Sequence, residues 1–145
     1  MKRLSGKNAF ILGSSRGIGL ACVKALAEQG ANVFLVARNE ALLKEATSVI
    51  QQRSAVQVGF HAVDLRTLEG CQQASNAFNK RFGQADILVN SAGATKGGIF
   101  PEQSDEEMID GFALKFHGAV RLCRQLWPSL RQSKGTVINL SLIHI

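Results

Sequence analysis

The sequence contains no tyrosine and only one tryptophan among its 145 residues. Aromatic rings are the platforms on which many proteins stack nucleic-acid bases, and basic residues supply contacts to phosphates. The formal net charge is +6, but the lysines and arginines are spread along the chain and form no block of five or six. This pattern favours a solvated basic surface over a nucleic-acid-binding one, with one or two cations reserved for a phosphorylated ligand.

Cysteines are also few, and none belongs to a CxxC pair. The three present, Cys22, Cys71 and Cys123, are odd in number, widely spaced and set in stretches of helical spacing. Scattered cysteines of this kind indicate buried, reduced thiols, and no metal site is expected.

Long apolar runs are missing as well. A membrane-spanning helix needs about 20 consecutive apolar residues, and no run approaches that length. The opening stretch, MKRLSGKNAF, shows no charged-then-apolar leader. The length suits one domain, and no repeat, linker or low-complexity tract divides it. We therefore expect a single-domain cytoplasmic protein with no membrane partner.

Short apolar runs rich in β-branched residues alternate with longer stretches of helical period. The candidate strands are residues 8–13, 32–37, 56–63, 85–90 and 135–140. The predicted helices are one that ends before Gly30, then 39–53, 67–82 and 104–132, the last capped by Ser104. This alternation is typical of βαβ units around a parallel sheet, so the sequence predicts an α/β fold.

A glycine-rich stretch, GSSRGIG, follows the first strand and opens the first helix. Gly13, Gly17 and Gly19 permit a tight turn, a close approach of the backbone to a pyrophosphate, and packing of the helix against its strand. The free N–H groups at the start of the helix would then face the anion. Two glycines in a tight turn can arise by chance, so the motif needs support from elsewhere in the chain.

Three further stretches supply that support: Asp64-Leu65 after the third strand, NSAG at 90–93 after the fourth, and INLS after the last helix. With the glycine motif, whose spacing is G-x-x-x-G-x-G, their order resembles the short-chain dehydrogenase/reductase family over almost the whole chain. The resemblance implies a doubly wound Rossmann fold, of which this chain would hold the first five strands. It also implies hydride transfer between a nicotinamide dinucleotide and a carbonyl or alcohol substrate.

The family resemblance implies contacts from the glycine loop to the cofactor's phosphates and adjoining ribose. The residues so assigned are Gly13, Ser15, Arg16, Gly17, Ile18 and Gly19. Leu12 stands where the family commonly has threonine. The substitution removes a hydroxyl that braces the loop, but it leaves the phosphate-binding amides in place.

The same resemblance assigns residues after the third and fourth strands. Asp64 and Leu65 would edge the adenine, with the Asp64 carboxylate accepting a hydrogen bond from the adenine amino group. A helix cap is the alternative role for Asp64. Asn90, Ala92 and Gly93 would form the floor beneath the cofactor, with Asn90 also bracing the sheet, and a purely structural turn is the alternative for Asn90.

The preferred nicotinamide cofactor follows from VARNE, at the end of the second strand. An acidic residue there would hold the ribose hydroxyls of NAD and repel the 2′-phosphate of NADP. The chain has Ala37 instead, followed by Arg38 and Asn39, which we assign to the cofactor site. Arg38 and Arg16 would flank a 2′-phosphate, so NADP is expected over NAD. The alternative is that Arg38 is only the polar first residue of a helix.

The family's proton-transfer residues are incompletely represented. In the family a tyrosine moves the substrate proton, a nearby lysine lowers its pKa, a serine orients the carbonyl and an asparagine completes a relay. This chain has no tyrosine, and Lys115 aligns with the relay asparagine. Ser141 aligns with the first of two serines and Leu142 with the second, catalytic one. Ser141 is therefore the remaining catalytic candidate.

The last six residues, LSLIHI, match a translation of CTGTCTCTTATACACATC, a transposon-end adapter used in sequencing libraries. We therefore expect an incomplete dinucleotide-binding domain over 1–139 and non-native residues over 140–145. A natural strand end with an apolar tail is the alternative.

The sequence leaves alternatives for the function and for the oligomeric state of the whole protein. A non-catalytic dinucleotide-binding sensor on the same fold is the second candidate function. Homo-oligomerisation is expected by resemblance when the protein is full length, but the apolar positions of the last helix suit either pairing with a second copy or packing on the sheet.

Overall fold

The computed structural model of the chain describes residues 2–93 and 98–141. Within them, five strands form one parallel sheet in the order β3-β2-β1-β4-β5. The strands are β1 (Asn8–Leu12), β2 (Asn32–Ala37), β3 (Val58–Ala62), β4 (Ile87–Asn90) and β5 (Thr136–Asn139). The helices are α1 (Gly17–Glu28), α2 (Glu40–Arg53), α3 (Leu68–Phe82), α4 (Asp105–Phe112) and α5 (Ala119–Gln132), with a 3₁₀ turn at Phe100–Glu102. The predicted doubly wound α/β fold is confirmed.

Each face of the sheet has its own apolar core, because successive side chains of a strand point to opposite faces. The core under α3 and α5 includes Phe10, Phe34, Phe78, Leu88 and Leu122. Phe78 packs edge-on against Phe10 and Phe34 at centroid distances of 5.3 and 5.5 Å. The core under α1 and α2 includes Ile11, Val23, Val33, Leu35, Leu43 and Val89. Helices on both faces leave the carboxyl edge of the sheet as the open side.

The predicted helix at 104–132 is divided in the structure. A π-helical segment, Ala113–Gly118, joins α4 to α5. Ser104 caps α4 in a reciprocal capping box with Glu107, as its position before three acidic residues predicts. A Cβ on Gly118 would lie 2.7 Å from the Leu65 carbonyl oxygen. The π segment is therefore packed directly against the loop that follows β3.

Two other sequence expectations concern cysteines and membranes. Cys71 is buried, Cys22 and Cys123 are partly buried, and all three are free thiols. In the described part of the chain, no helix has both the length and the apolar character needed to cross a bilayer. Residues 142–145, which include Leu142 and were expected to be non-native, lie outside the described residues.

Candidate functional site

A cleft of about 860 Å³ opens at the carboxyl edge of the sheet. Strands β2 and β3 lie on one side of β1, and β4 and β5 lie on the other. This reversal of strand order is where open α/β sheets bind ligands. The predicted site residues in its walls are Gly13, Ser15, Arg16, Gly17, Ile18, Gly19, Arg38, Asn39, Asp64, Leu65, Ala92, Gly93 and Ser141.

The glycine loop is shaped by two close approaches. Gly13 and Gly17 have φ angles of 64° and 57°, in the region that disfavours side-chain-bearing residues. A Cβ on Gly13 would lie 2.7 Å from Ala92 Cα, and a Cβ on Gly19 would collide with the Gly13 carbonyl oxygen. A Cβ on Gly17 would meet no atom within 4 Å. Gly13 and Gly19 are thus needed for packing, whereas Gly17 borders open space in the cleft.

Helix α1 begins at this loop with its first N–H groups beside the cleft. Arg16 is the N-cap residue, but its side chain makes no capping hydrogen bond within the described structure, and the first turn contains no acidic residue. In the part of the chain that the structure describes, the first amides of the helix therefore have no capping side chain as acceptor. The positive end of the helix dipole is available to an anion in the cleft.

Ser14 supplies the hydroxyl brace that Leu12 cannot. Ser14 Oγ accepts a hydrogen bond from the Val36 N–H at 2.8 Å and donates one to the Val36 carbonyl at 3.4 Å. On the other side of the loop, the Ser91 hydroxyl donates to the Leu12 carbonyl. The two serines tie the glycine loop to β2 and to the segment after β4. This role was not predicted from the sequence, because its only signal there is a serine inside the glycine motif.

Arg38 and Asn39 occupy different roles at the end of β2. Helix α2 begins at Glu40 with Asn39 as its cap, and the Asn39 side chain accepts a hydrogen bond from the Leu42 N–H at 3.0 Å. Arg38 precedes that cap, so the alternative that it is the first residue of a helix is wrong. It is exposed and lines the cleft with Ala37, as Arg16 does from the neighbouring loop.

The Asp64 carboxylate is held by Arg66. Arg66 donates to it from the backbone N–H at 3.0 Å and from side-chain Nε and NH2, the shortest contact being 2.7 Å. Hydrogen bonds from Arg66 hold the pKa of Asp64 below its usual value. Arg66 also pairs with Asp110 of α4 at 2.9 Å. The cap of α3 is Thr67, which accepts from the Gly70 N–H, so the helix-cap alternative for Asp64 is wrong.

Asn90 is the predicted site residue that does not line the cleft. Its side chain is buried at the end of β4, and Nδ2 donates to Asn139 Oδ1 of β5 at 2.7 Å. It ties β4 to β5 and borders a second cavity, whereas Ala92 and Gly93 line the cleft. The backbone leaves the sheet between Asn90 and Ala92, which is why neighbouring residues of one motif face different spaces.

Lys115 and Ser141 both line the cleft and a second cavity of about 620 Å³. This second cavity lies between the α4–α5 stretch and β5, and its walls include Met108, Phe112, Phe116, Val120 and Val137. Leu142, aligned with the catalytic serine of the family, lies outside the described residues. Among residues 2–93 and 98–141, no three histidine, cysteine, aspartate or glutamate side chains form a group that could hold a metal ion.

Known proteins resemble the chain over nearly its whole length. The sequence model of the short chain dehydrogenase family matches residues 7–144. The fatty acyl-CoA reductase of Acinetobacter baylyi is 33% identical over 147 aligned positions, which cover 99% of this chain and 50% of that protein. The chain thus spans about half the length of this relative.

Solved structures show the same likeness. L-Sorbose reductase from Gluconobacter frateurii, complexed with NADPH and L-sorbose, superimposes with a TM-score of 0.89 at 40% identity, covering 94% of this chain and 53% of that one. A metagenomic short-chain oxidoreductase in complex with NADP gives a TM-score of 0.90 at 30% identity, covering 97% and 64%.

Proposed function

The chain belongs to the short-chain dehydrogenase family, and from that premise we propose that it is the cofactor-binding part of an NADP-preferring oxidoreductase. The whole protein would transfer hydride between the nicotinamide and a carbonyl or alcohol of a small-molecule substrate. The observation that carries the proposal is the cleft at β1, where the glycine loop, the uncapped start of α1 and two exposed arginines line one space.

The pyrophosphate is proposed to lie at the start of α1. The open space before Gly17 lets phosphate oxygens reach the first amides of the helix, and the absence of an acid from the first turn leaves the helix dipole uncompensated there. Ser15, Ile18 and Gly19 border the same space. Backbone N–H groups would then bind the anion with little help from side chains.

The adenosine is proposed to lie over β2 and β3. Asp64 and Leu65 line that end of the cleft. Because Arg66 already donates to both carboxylate oxygens, Asp64 would present a fixed acceptor to the adenine amino group. Arg66 is therefore proposed as the residue that orients Asp64.

The proposed preference for NADP over NAD rests on Arg38, Arg16 and the absence of an acidic residue at position 37. Both arginines are exposed at the cleft, and no carboxylate at the end of β2 opposes a 2′-phosphate. One charge-assisted hydrogen bond contributes about 1.5–3 kcal/mol, which corresponds to roughly ten- to a hundredfold in affinity. The bound NADPH and NADP of the two solved relatives support this choice.

Catalysis is proposed for the whole protein and cofactor binding for this chain. The chain contains no tyrosine, and it spans about half the length of its relative. Ser141 stays the candidate for orienting the substrate carbonyl, since it lines the part of the cleft nearest β5.

A homo-oligomer in the cytoplasm is proposed for the whole protein. Leu122, Leu126 and Leu130 of α5 are buried against the sheet, so these positions are not free for pairing. The α4–α5 stretch still exposes Met108, Ile109, Phe112, Phe116, Val120 and Trp127, and four of these six residues also line the second cavity. Exposed apolar residues gathered on one stretch are typical of protein–protein contacts.

Fluorescence titration of the purified chain with NADPH and NADH tests the cofactor assignment. NADPH should bind at least about tenfold more tightly, and Arg38→Asp should abolish or reverse that preference. Arg53→Asp makes the same charge change in the last turn of α2, outside the cleft, and should leave both affinities within about twofold. Equal affinities for the two cofactors in the unmutated chain would contradict the assignment.

A further inference from the structure

Lys115 lies where the dinucleotide cleft meets the second cavity. It lines both, and its partly buried side chain ends beside Gly93, with Nζ 3.3 Å from the position of a Cβ on that glycine. None of the ion pairs or side-chain hydrogen bonds within residues 2–93 and 98–141 uses the Lys115 ammonium. Among the described residues, Lys115 is therefore a cation that has no counter-ion and lies against the wall of the cleft.

The π-helical segment Ala113–Gly118 places this cation. Gly118 packs against the carbonyl of Leu65, and Leu114 packs on the apolar core. Lys115 lies between these two contacts, which fix the position of its backbone at the wall of the cleft. Segments of π-helix within longer helices often occur at functional sites.

The proposed function, on which this inference rests, determines which part of the dinucleotide lies next to Lys115. Arg38 and Asp64 lie at the β2–β3 end, where the adenosine is placed, and the start of α1 takes the pyrophosphate in the middle. The nicotinamide must then extend past β1 toward β4 and β5. Gly93, Lys115 and Ser141 line that end.

We propose that Lys115 makes the site discriminate between the two redox forms of the cofactor, in favour of the reduced one. The oxidised nicotinamide ring carries a positive charge and the reduced ring is neutral, so an unpaired ammonium repels only the oxidised form. Two unit charges roughly 8 Å apart, in a medium of effective dielectric constant about 30, repel strongly enough to change an affinity about tenfold. Lys115 is thus a specificity-determining residue that biases the site toward binding the reductant.

The test measures the affinities of the purified 145-residue chain for NADPH and for NADP⁺. Lys115→Gln should lower the NADPH-to-NADP⁺ affinity ratio about tenfold, mainly through tighter binding of NADP⁺. Lys115→Met should give the same ratio, and Lys115→Arg should keep the wild-type ratio within about threefold. Lys80→Gln removes the same charge from an exposed position in the last turn of α3 and should not change the ratio.

Each outcome bears on the inference. Because both ligands are compared on the same variant, partial loss of folded protein lowers both apparent affinities equally and leaves the ratio unchanged. A ratio within about twofold of wild type in Lys115→Gln and Lys115→Met would overturn the inference and leave dinucleotide binding intact. An equal fall in Lys80→Gln would assign the effect to net charge and also overturn it. An unmutated chain that binds neither form would refute the proposed function, and this inference with it.

Discussion

Replacing Gly13 with alanine tests whether the glycine loop must lie in close contact with the segment after β4. The added Cβ would lie 2.7 Å from Ala92 Cα and 3.0 Å from Ala92 N, which are backbone atoms that cannot rotate away. The φ angle of 64° adds strain of about 1–2 kcal/mol for a residue with a side chain. Overpacking typically adds about 1–3 kcal/mol, so Gly13→Ala should lower the free energy of unfolding by about 2–5 kcal/mol.

Two other glycines separate backbone strain from close contact. Gly6 and Gly17 also have positive φ angles, 79° and 57°, but a Cβ on either would meet nothing within 4 Å. Gly6→Ala and Gly17→Ala should therefore each cost only about 1–2 kcal/mol. Only Gly17 borders the cleft, at the start of α1, so Gly17→Ala should also weaken NADPH binding at least about tenfold, whereas Gly6→Ala should not.

Urea denaturation followed by circular dichroism gives the free energies of unfolding, and fluorescence titration gives the affinities. The reasoning would be refuted by a Gly13→Ala variant as stable as Gly6→Ala. It would also be refuted by a Gly17→Ala variant that binds NADPH as tightly as the unmutated chain.

Two further predictions concern titratable side chains. Arg66→Met removes the partner that holds the pKa of Asp64 below its usual value, so the variant should be less stable than wild type at neutral pH. In the wild type, the Asp64 carboxyl has a lower pKa in the folded state than in the unfolded state, so its contribution to stability is lost as the pH falls below about 4. The difference in free energy of unfolding between wild type and variant should therefore shrink in that range. A difference that stays constant between about pH 2 and 7 in urea denaturation would argue against this prediction. Burial raises the pKa of the Cys71 thiol, so Cys71 should be alkylated much more slowly than Cys22 in the native chain and as fast as Cys22 in urea. Mass spectrometry after timed labelling measures both rates, and similar native rates would show that Cys71 is accessible.

The fold and the position of the cleft could be derived from local patterns. Runs such as VFLVA at 33–37 are apolar at every position, as strands covered on both faces must be, and helical spacing between such runs favours a parallel sheet. In such a sheet all carboxyl ends meet at one edge, so the residues that follow each strand are brought together wherever the helices pack. The glycine spacing then identified the turn at which an anion approaches the backbone.

Only the tertiary structure determined which contacts hold the loops of the site in place. The Ser14 hydroxyl meets Val36, 22 positions away, and the Ser91 hydroxyl meets Leu12, 79 positions away. Asn90 was expected to brace the sheet, but only the structure shows that its partner is Asn139 of β5, and Lys115 reaches the wall of the cleft through a π-helical segment. No periodicity or spacing encodes such contacts, because they depend on the distance and angle between elements, which are set only when both apolar cores close around the sheet.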